Sequence, residues 1–166
     1  QGIEQFYRDN RITPIYEGTN SVQAADLVFR KLINRNGDVI DKYINLVREE
    51  INIKDERAQP FVKQLHYHLG ILSKFTDWIK EKIKNSPEDA SGACNDYLKV
   101  LGLVATGHAW LKVLEVSFNE YDSNKDFYED KIQTANFFYN RILPRIDSNY
   151  ITATTGSNYI MNYKFN

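Results

Sequence analysis

Tyr97-Leu98-Lys99-Val100-Leu101-Gly102-Leu103-Val104-Ala105-Thr106-Gly107-His108-Ala109-Trp110-Leu111-Lys112-Val113-Leu114-Glu115-Val116-Ser117-Phe118 is the stretch that decides the fold. Wound as an α-helix, it is apolar nearly all round, the pattern of a helix buried on more than one side. Gly102, Ala105, Gly107 and Ala109 are small enough for a neighbouring helix to approach closely. Such a helix needs partners, and the flanking sequence supplies them.

Ser86-Pro87-Glu88 breaks the chain and starts this central helix, predicted from about Glu88 to Tyr121. Before it, Phe61, Leu65, Leu69, Leu72, Phe75, Ile79 and Ile83 form one inward stripe of a helix from near Gln59 to Lys84; Pro60 fits only in its first turn. Ile40, Tyr43, Ile44, Val47 and Ile51 mark a helix from Val39 to about Ile51. Asn36-Gly37-Asp38 stops one helix and starts the next, with Gly37 suited to a left-handed cap and Asp38 to an N-cap. After the central helix, Lys125 to Leu143 is predicted helical, burying Tyr128, Ile132, Ala135, Phe138 and Ile142, and Pro144 ends or kinks it. From Tyr150 to Asn166 the chain is rich in Thr, Ser and Asn, and only a short helix near Asn158 to Tyr163 is expected. With no strand pair, repeat or Gly-rich linker, the fold class is all-α, an antiparallel helical bundle.

Composition narrows the function classes. The 166 residues suit one domain, or a small domain carrying a terminal piece of something larger. Lys plus Arg number 21 against 22 for Asp plus Glu, so no field of one sign is available to steer nucleic acid or a membrane surface. Cys94 stands alone, which rules out an internal disulfide and makes a cytoplasmic setting the default. No uninterrupted apolar run reaches the roughly 20 residues of a membrane span. The only methionine is Met161 and the chain opens at Gln1, so a piece of a longer polypeptide is expected.

Most polar residues have a structural explanation. Asp122-Ser123-Asn124-Lys125-Asp126 imitates the start of a calcium loop, but Phe127 holds the glycine position and Gln133 the final glutamate position, so an inter-helix turn is expected. His66 and His68 lie about 200° apart around a helix and do not jointly face one metal. His108, beside Trp110, reads as a hydrogen-bonded core histidine. No metal site, Ser-His-Asp set or Gly-rich phosphate loop is expected.

Glu17 differs, because its position carries a mechanism. Pro14 biases Thr13 to an extended conformation, and Gly18-Thr19-Asn20 starts a helix with Thr19 or Asn20 as N-cap. That helix is predicted to run about four turns to Asn34, with Val22, Ala25, Val28, Phe29, Leu32 and Ile33 on its buried face. A carboxylate just before a helix start feels the positive end of the helix dipole, and the amides of the turn can hold a developing oxyanion. The residues alone leave two readings open: a helix-capping carboxylate, or a base without a visible substrate.

Arg8-Asp9-Asn10-Arg11-Ile12, then Ile15-Tyr16-Glu17-Gly18-Thr19-Asn20 and Gln23, resembles the closing signature of the acyl-CoA dehydrogenases, FAD-dependent flavoenzymes. The match is long and covers roughly the first 34 residues. The remainder is similar, more loosely, to the extra C-terminal helical domain of the larger bacterial members, the methylthiopropanoyl-CoA dehydrogenase type. There a Gly-rich helix with a Trp, here Gly102 to Trp110, precedes a Lys-x-x-x-Ala helix ending in Leu-Pro, here Lys131, Ala135 and Leu143-Pro144. The resemblance thus divides the chain into residues 1–35, the last helix of the family's C-terminal helical domain with its catalytic turn, and residues 36–166, an auxiliary helical bundle.

The resemblance implies α,β-dehydrogenation of an acyl-CoA thioester. Glu17 aligns with the base that removes the α-proton while hydride passes from the β-carbon to flavin N5, and the Glu17 N–H would bind the thioester carbonyl. Tyr16 would lie against the acyl pocket; Gly18, Thr19 and Gln23 would contact the FAD diphosphate or adenosine portion. Arg8, Asp9 and Arg11 would fix the turn that presents Glu17. An electron-transfer flavoprotein is the implied acceptor, the missing N-terminal domains of the same protein are implied partners, and a homo-oligomer is expected. A flavin held by one edge would be largely in water, so the 166-residue chain alone is expected to be inactive. Two alternatives stand beside this reading: a non-catalytic helical interaction module or gene remnant, and an acyl-CoA oxidase in which oxygen meets the reduced flavin. The tail aromatics Tyr150, Tyr159, Tyr163 and Phe165 are expected to dock on a partner surface.

Overall fold

The period-3.6 stripe on Gln59–Asn85 and the nearly all-apolar helix after it pair as the two longest elements of the computed structural model, which describes residues 2–33, 38–162 and 164. In chain order the helices are α1 (Ile3–Asn10), α2 (Asn20–Asp26), α3 (Val39–Glu50), α4 (Gln59–Asn85), α5 (Pro87–Asn119), α6 (Lys125–Phe137), α7 (Arg145–Thr154) and α8 (Asn158–Met161). α2 runs on into a π turn at Leu27–Lys31, and α6 into another at Phe138–Ile142. Among the described residues there is no strand, so the all-α expectation holds.

Phe61, Leu65, Leu69, Leu72, Phe75 and Ile79 of α4 are buried as the stripe predicts, with Ile83 half-buried at its end. α5 is the centre of the bundle and packs against α2, α4, α6 and α7. Its buried residues include Tyr97, Val100, Val104, Leu111, Leu114 and Phe118, whereas Val113 and Val116 are exposed. Of Gly102, Ala105, Gly107 and Ala109, only Gly107 is buried: a Cβ there would lie 3.1 Å from Leu65 Cδ1 and 3.3 Å from Leu143 Cδ1, whereas one on Gly102 would meet nothing within 4 Å. By length and apolar content α5 is long enough to cross a membrane, which the count of uninterrupted apolar residues did not anticipate. Its buried face packs on four other helices of the bundle, the arrangement of a core helix.

The ends of these helices follow local chemistry. Pro87 occupies the first turn of α5 after Ser86, and Pro60 the first turn of α4. Asn124 Oδ1 accepts from Phe127 N–H and caps α6 after a 3₁₀ turn at Tyr121–Ser123, so the calcium-loop lookalike is the expected inter-helix turn. At the far end of α5 the Arg57 guanidinium donates 3.0 Å to the Phe118 carbonyl and lies 4.6 Å from the Phe118 ring. This satisfies one of the carbonyls every helix leaves open at its C-terminus. Asp38 is the N-cap residue of α3; the predicted Gly37 cap falls outside the described residues.

Four expectations change. α7 runs into the stretch from Tyr150 expected to be irregular: Ile146 is fully buried and Tyr150 packs edge-on to Phe75 at 5.4 Å, so tertiary packing overrides a Ser/Thr/Asn-rich composition. Tyr150 is therefore part of the core and not a free docking residue; Tyr159 is 86% exposed, and Tyr163 and Phe165 lie outside the described residues. The helix after Glu17 buries Ala24, Val28 and Leu32, an i, i+4, i+8 row, and leaves Val22, Phe29 and Ile33 exposed. The π turn within it shifts the register that a uniform 3.6 period assumes. Thr13 lies in a run of turns, its N–H and hydroxyl both bonded to the Asn10 carbonyl.

The core polar residues are satisfied. His108 Nε2 lies 3.0 Å from Glu50 Oε2, as expected of a bonded core histidine. His68 is buried, with Nδ1 2.8 Å from the Gln64 carbonyl and Nε2 3.2 Å from Asp147 Oδ2; His66 is exposed. Cys94 is buried, its thiol donates to the Ala90 carbonyl, and burial pushes its pKa up, the opposite of an activated nucleophile.

Candidate functional site

Two successive left-handed residues shape the predicted catalytic turn. Glu17 has φ 56°, the one non-glycine residue with positive φ among the described residues, and Gly18 follows at φ 99°. A side chain at Gly18 would be strained by that φ and would place its Cβ 3.0 Å from Val22 Cγ1, so glycine is required on both counts. Thr19 is the N-cap of α2 in extended conformation, and the Gln23 N–H donates to its carbonyl. The Thr19 hydroxyl makes no cap hydrogen bond. The Gln23 side-chain amide donates 2.7 Å to the Glu17 carbonyl oxygen, bridging the start of the turn to the first turn of the helix.

Every described residue from Gly2 to Val22 is exposed, including Tyr16 and Glu17. Among the described residues none accepts a hydrogen bond from the Glu17 N–H. On α1, Ile3, Phe6 and Tyr7 share one face and are all at least 70% exposed. Gln5 bonds Asp9, and Arg8 faces Glu4, so the predicted turn-fixing residues Arg8 and Asp9 are engaged along α1 itself.

Behind the turn the packing is firm. Ala24, Val28 and Leu32 are buried in the same core as α4 and α5, and Asn95 of α5 donates 3.1 Å to the Ser21 hydroxyl. Asp26 pairs with Arg30 and Lys31 on the outer face, and the Arg30 bond is the largest influence holding its carboxyl below the usual range. The structure thus places Tyr16, Glu17, Gly18 and Thr19 on one exposed turn, with half-buried Gln23 behind it in α2. Among the described residues no group of three or more His, Cys, Asp or Glu side chains is placed to hold a metal.

The family model described as "Acetyl-CoA dehydrogenase C-terminal like" matches residues 39–164, most of the chain. The chain belongs to the acyl-CoA dehydrogenase C-terminal family. Among curated relatives it is 30% identical over 149 residues to a 3-methylmercaptopropionyl-CoA dehydrogenase of Ruegeria pomeroyi, covering 86% of this chain and 25% of that protein. It is 26% identical over 173 residues to a broad-specificity linear acyl-CoA dehydrogenase of Mycobacterium tuberculosis, covering 96% of this chain and 28% of that one. The chain therefore spans about a quarter of the length of these acyl-CoA dehydrogenases.

The described residues of the turn, Ile15 to Asn20, are all exposed and do not enclose a cofactor. Among the described residues the Thr19 hydroxyl makes no cap hydrogen bond, and Gly18 is exposed at the turn. No wall of described residues stands opposite them to enclose the rest of a cofactor. The bundle that supports the turn was legible as helices, but the Gln23 bridge and the left-handed Glu17 were not, because neither leaves a periodic signal.

Proposed function

We propose that this chain is the closing part of an FAD-dependent acyl-CoA dehydrogenase, with Glu17 the base that removes the α-proton of an acyl-CoA thioester. The observation that carries this reading is the Glu17 turn: one residue offers a carboxylate and an N–H without an acceptor, at a backbone conformation that costs energy to keep. The carboxylate takes the α-proton, and the N–H donates to the thioester carbonyl oxygen, stabilising the negative charge that builds there. Tyr16, beside the base, bounds the acyl chain. Gly18 and Thr19 form the edge that meets the FAD diphosphate or adenosine portion. FAD, when bound, supplies the acceptor for the β-hydride.

The remaining walls belong to N-terminal domains outside this chain. Supporting this are the matched fraction of the relatives and the exposed apolar face of α1, which needs a cover. Residues 36–166 act as the auxiliary bundle behind the turn. The isolated chain is inactive, the whole enzyme is an oligomer in the cytoplasm, and an electron-transfer flavoprotein accepts its electrons.

The test is Glu17→Gln in the intact flavoenzyme, assayed by acyl-CoA-dependent flavin bleaching. Removing a general base should slow turnover about 10²–10⁴-fold. Turnover within a few-fold of the parent would sink the assignment. Acyl-CoA turnover by the 166-residue chain with added FAD would sink the claim that it is inactive alone.

A further inference from the structure

Glu17 keeps a left-handed conformation that L residues with a bulky side chain rarely adopt, and nothing in its own side chain explains it. Asn and Asp hold such positions through short side-chain bonds to the local backbone; a glutamate is one methylene too long for that pattern. The restraint comes instead from six residues downstream. The Gln23 side-chain amide donates 2.7 Å to the Glu17 carbonyl oxygen, a good amide hydrogen bond, and so fixes the peptide plane that joins Glu17 to Gly18.

Gln23 is itself held. It is half-buried in the first turns of α2, next to Ala24, which is fully buried against the core. The Asn95 amide of α5 bonds Ser21 two residues earlier. The orientation of the turn is thus referred through Gln23 and α2 to the long central helix of the bundle. The side chain must have a donor and this reach: Glu matches its length but has no donor when ionised, and Asn is one methylene short.

We propose that Gln23 is a positioning residue for the base, its amide clamping the Glu17 carbonyl so that the bundle built on α5 sets the direction of the Glu17 carboxylate and N–H. This rests on the assignment of Glu17 as base and adds what holds it. One amide hydrogen of Gln23 is engaged by the Glu17 carbonyl, and the role proposed for it runs through Glu17.

Two measurements test it. In the 166-residue chain, a long-range NMR experiment should detect scalar coupling between Gln23 Nε2 and the Glu17 carbonyl carbon. In the intact flavoenzyme, Gln23→Glu should lower kcat about 10- to 100-fold, the scale of a misplaced catalytic group, with acyl-CoA KM within about threefold and flavin content unchanged. The shorter Gln23→Asn should fall the same way. Loss of flavin from either variant would overturn the proposal in favour of a cofactor contact. Unchanged kcat in both variants, in an enzyme that Glu17→Gln inactivates, would overturn the positioning role alone. An active Glu17→Gln enzyme would instead bring down the base assignment, and the positioning role with it.

Discussion

The Tyr139 hydroxyl donates a 2.8 Å hydrogen bond to the Gly107 carbonyl, pinning the π turn after α6 against the middle of α5. Gly107 and Gly102 sit five residues apart on one helix in opposite circumstances. A Cβ on Gly107 would press on Leu65, Leu143 and Phe138, and one on Gly102 would point into open space. Gly102→Ala should therefore stabilise the bundle by about 0.5–1 kcal/mol through helix propensity. Gly107→Val should destabilise it by about 1–3 kcal/mol through overpacking. Thermal unfolding followed by circular dichroism gives both signs, and a shared sign would refute the packing argument.

Asp89 ties the C-terminal helix to the start of α5. Its Oδ1 accepts from both the Ser157 N–H and the Ser157 hydroxyl at 2.8 Å, and Lys82 lies 3.1 Å from Oδ2. The Ser157 backbone bond leads, followed by its hydroxyl and Lys82, in lowering the carboxyl from 3.8 to about 2. A depressed folded pKa contributes stability above pH 3.8 that is lost as pH falls toward 2. Asp89→Asn should remove that acid dependence and speed amide exchange at Ser157. Carboxyl-carbon NMR titration of Asp89 checks the pKa directly, and a midpoint near 4 would contradict the latch.

Tyr97 is fully buried in the bundle, its hydroxyl 2.9 Å from Thr76 Oγ1, which in turn donates to the Leu72 carbonyl. Burial, the largest influence, pushes the phenol from 10.0 up to about 12. A raised folded pKa gives stability that is whole below pH 10 and declines between pH 10 and 12. Tyr97→Phe should blunt alkaline unfolding over that range. Thr76→Val should cost about 1–3 kcal/mol by orphaning the Tyr97 donor, read by denaturant titration at neutral pH.

Asp147 of α7 joins two residues of α4, accepting from the Tyr67 hydroxyl at 2.8 Å and facing His68 Nε2 at 3.2 Å. The Tyr67 bond, first among the causes, raises the phenol above 10.0. Asp147→Ala should return Tyr67 to its ordinary value in a 295 nm titration. It should also destabilise the fold by about 1–3 kcal/mol, because buried His68 loses a partner. An unmoved tyrosine titration would show that the pair does not persist in solution.

The sequence alone determined the bundle's main helices, α3, α4 and α5. Their apolar residues repeat at helical spacing, and Pro60 and Pro87 mark the starts of α4 and α5 through local chemistry. It also singled out the Glu17 turn, because Gly18-Thr19-Asn20 announces a helix start without help from any distant residue. Tertiary structure decided what local signals could not carry. α7 forms because Ile146 and Tyr150 find the core, despite weak helical propensity. The π turn at Leu27–Lys31 shifts which residues face inward, burying Val28 and Leu32 in line with Ala24 and leaving Phe29 outside. The left-handed Glu17 and its Gln23 clamp arise only when α2 is seated on the bundle, because a six-residue side-chain bridge has no period to read and depends on a helix fixed from behind.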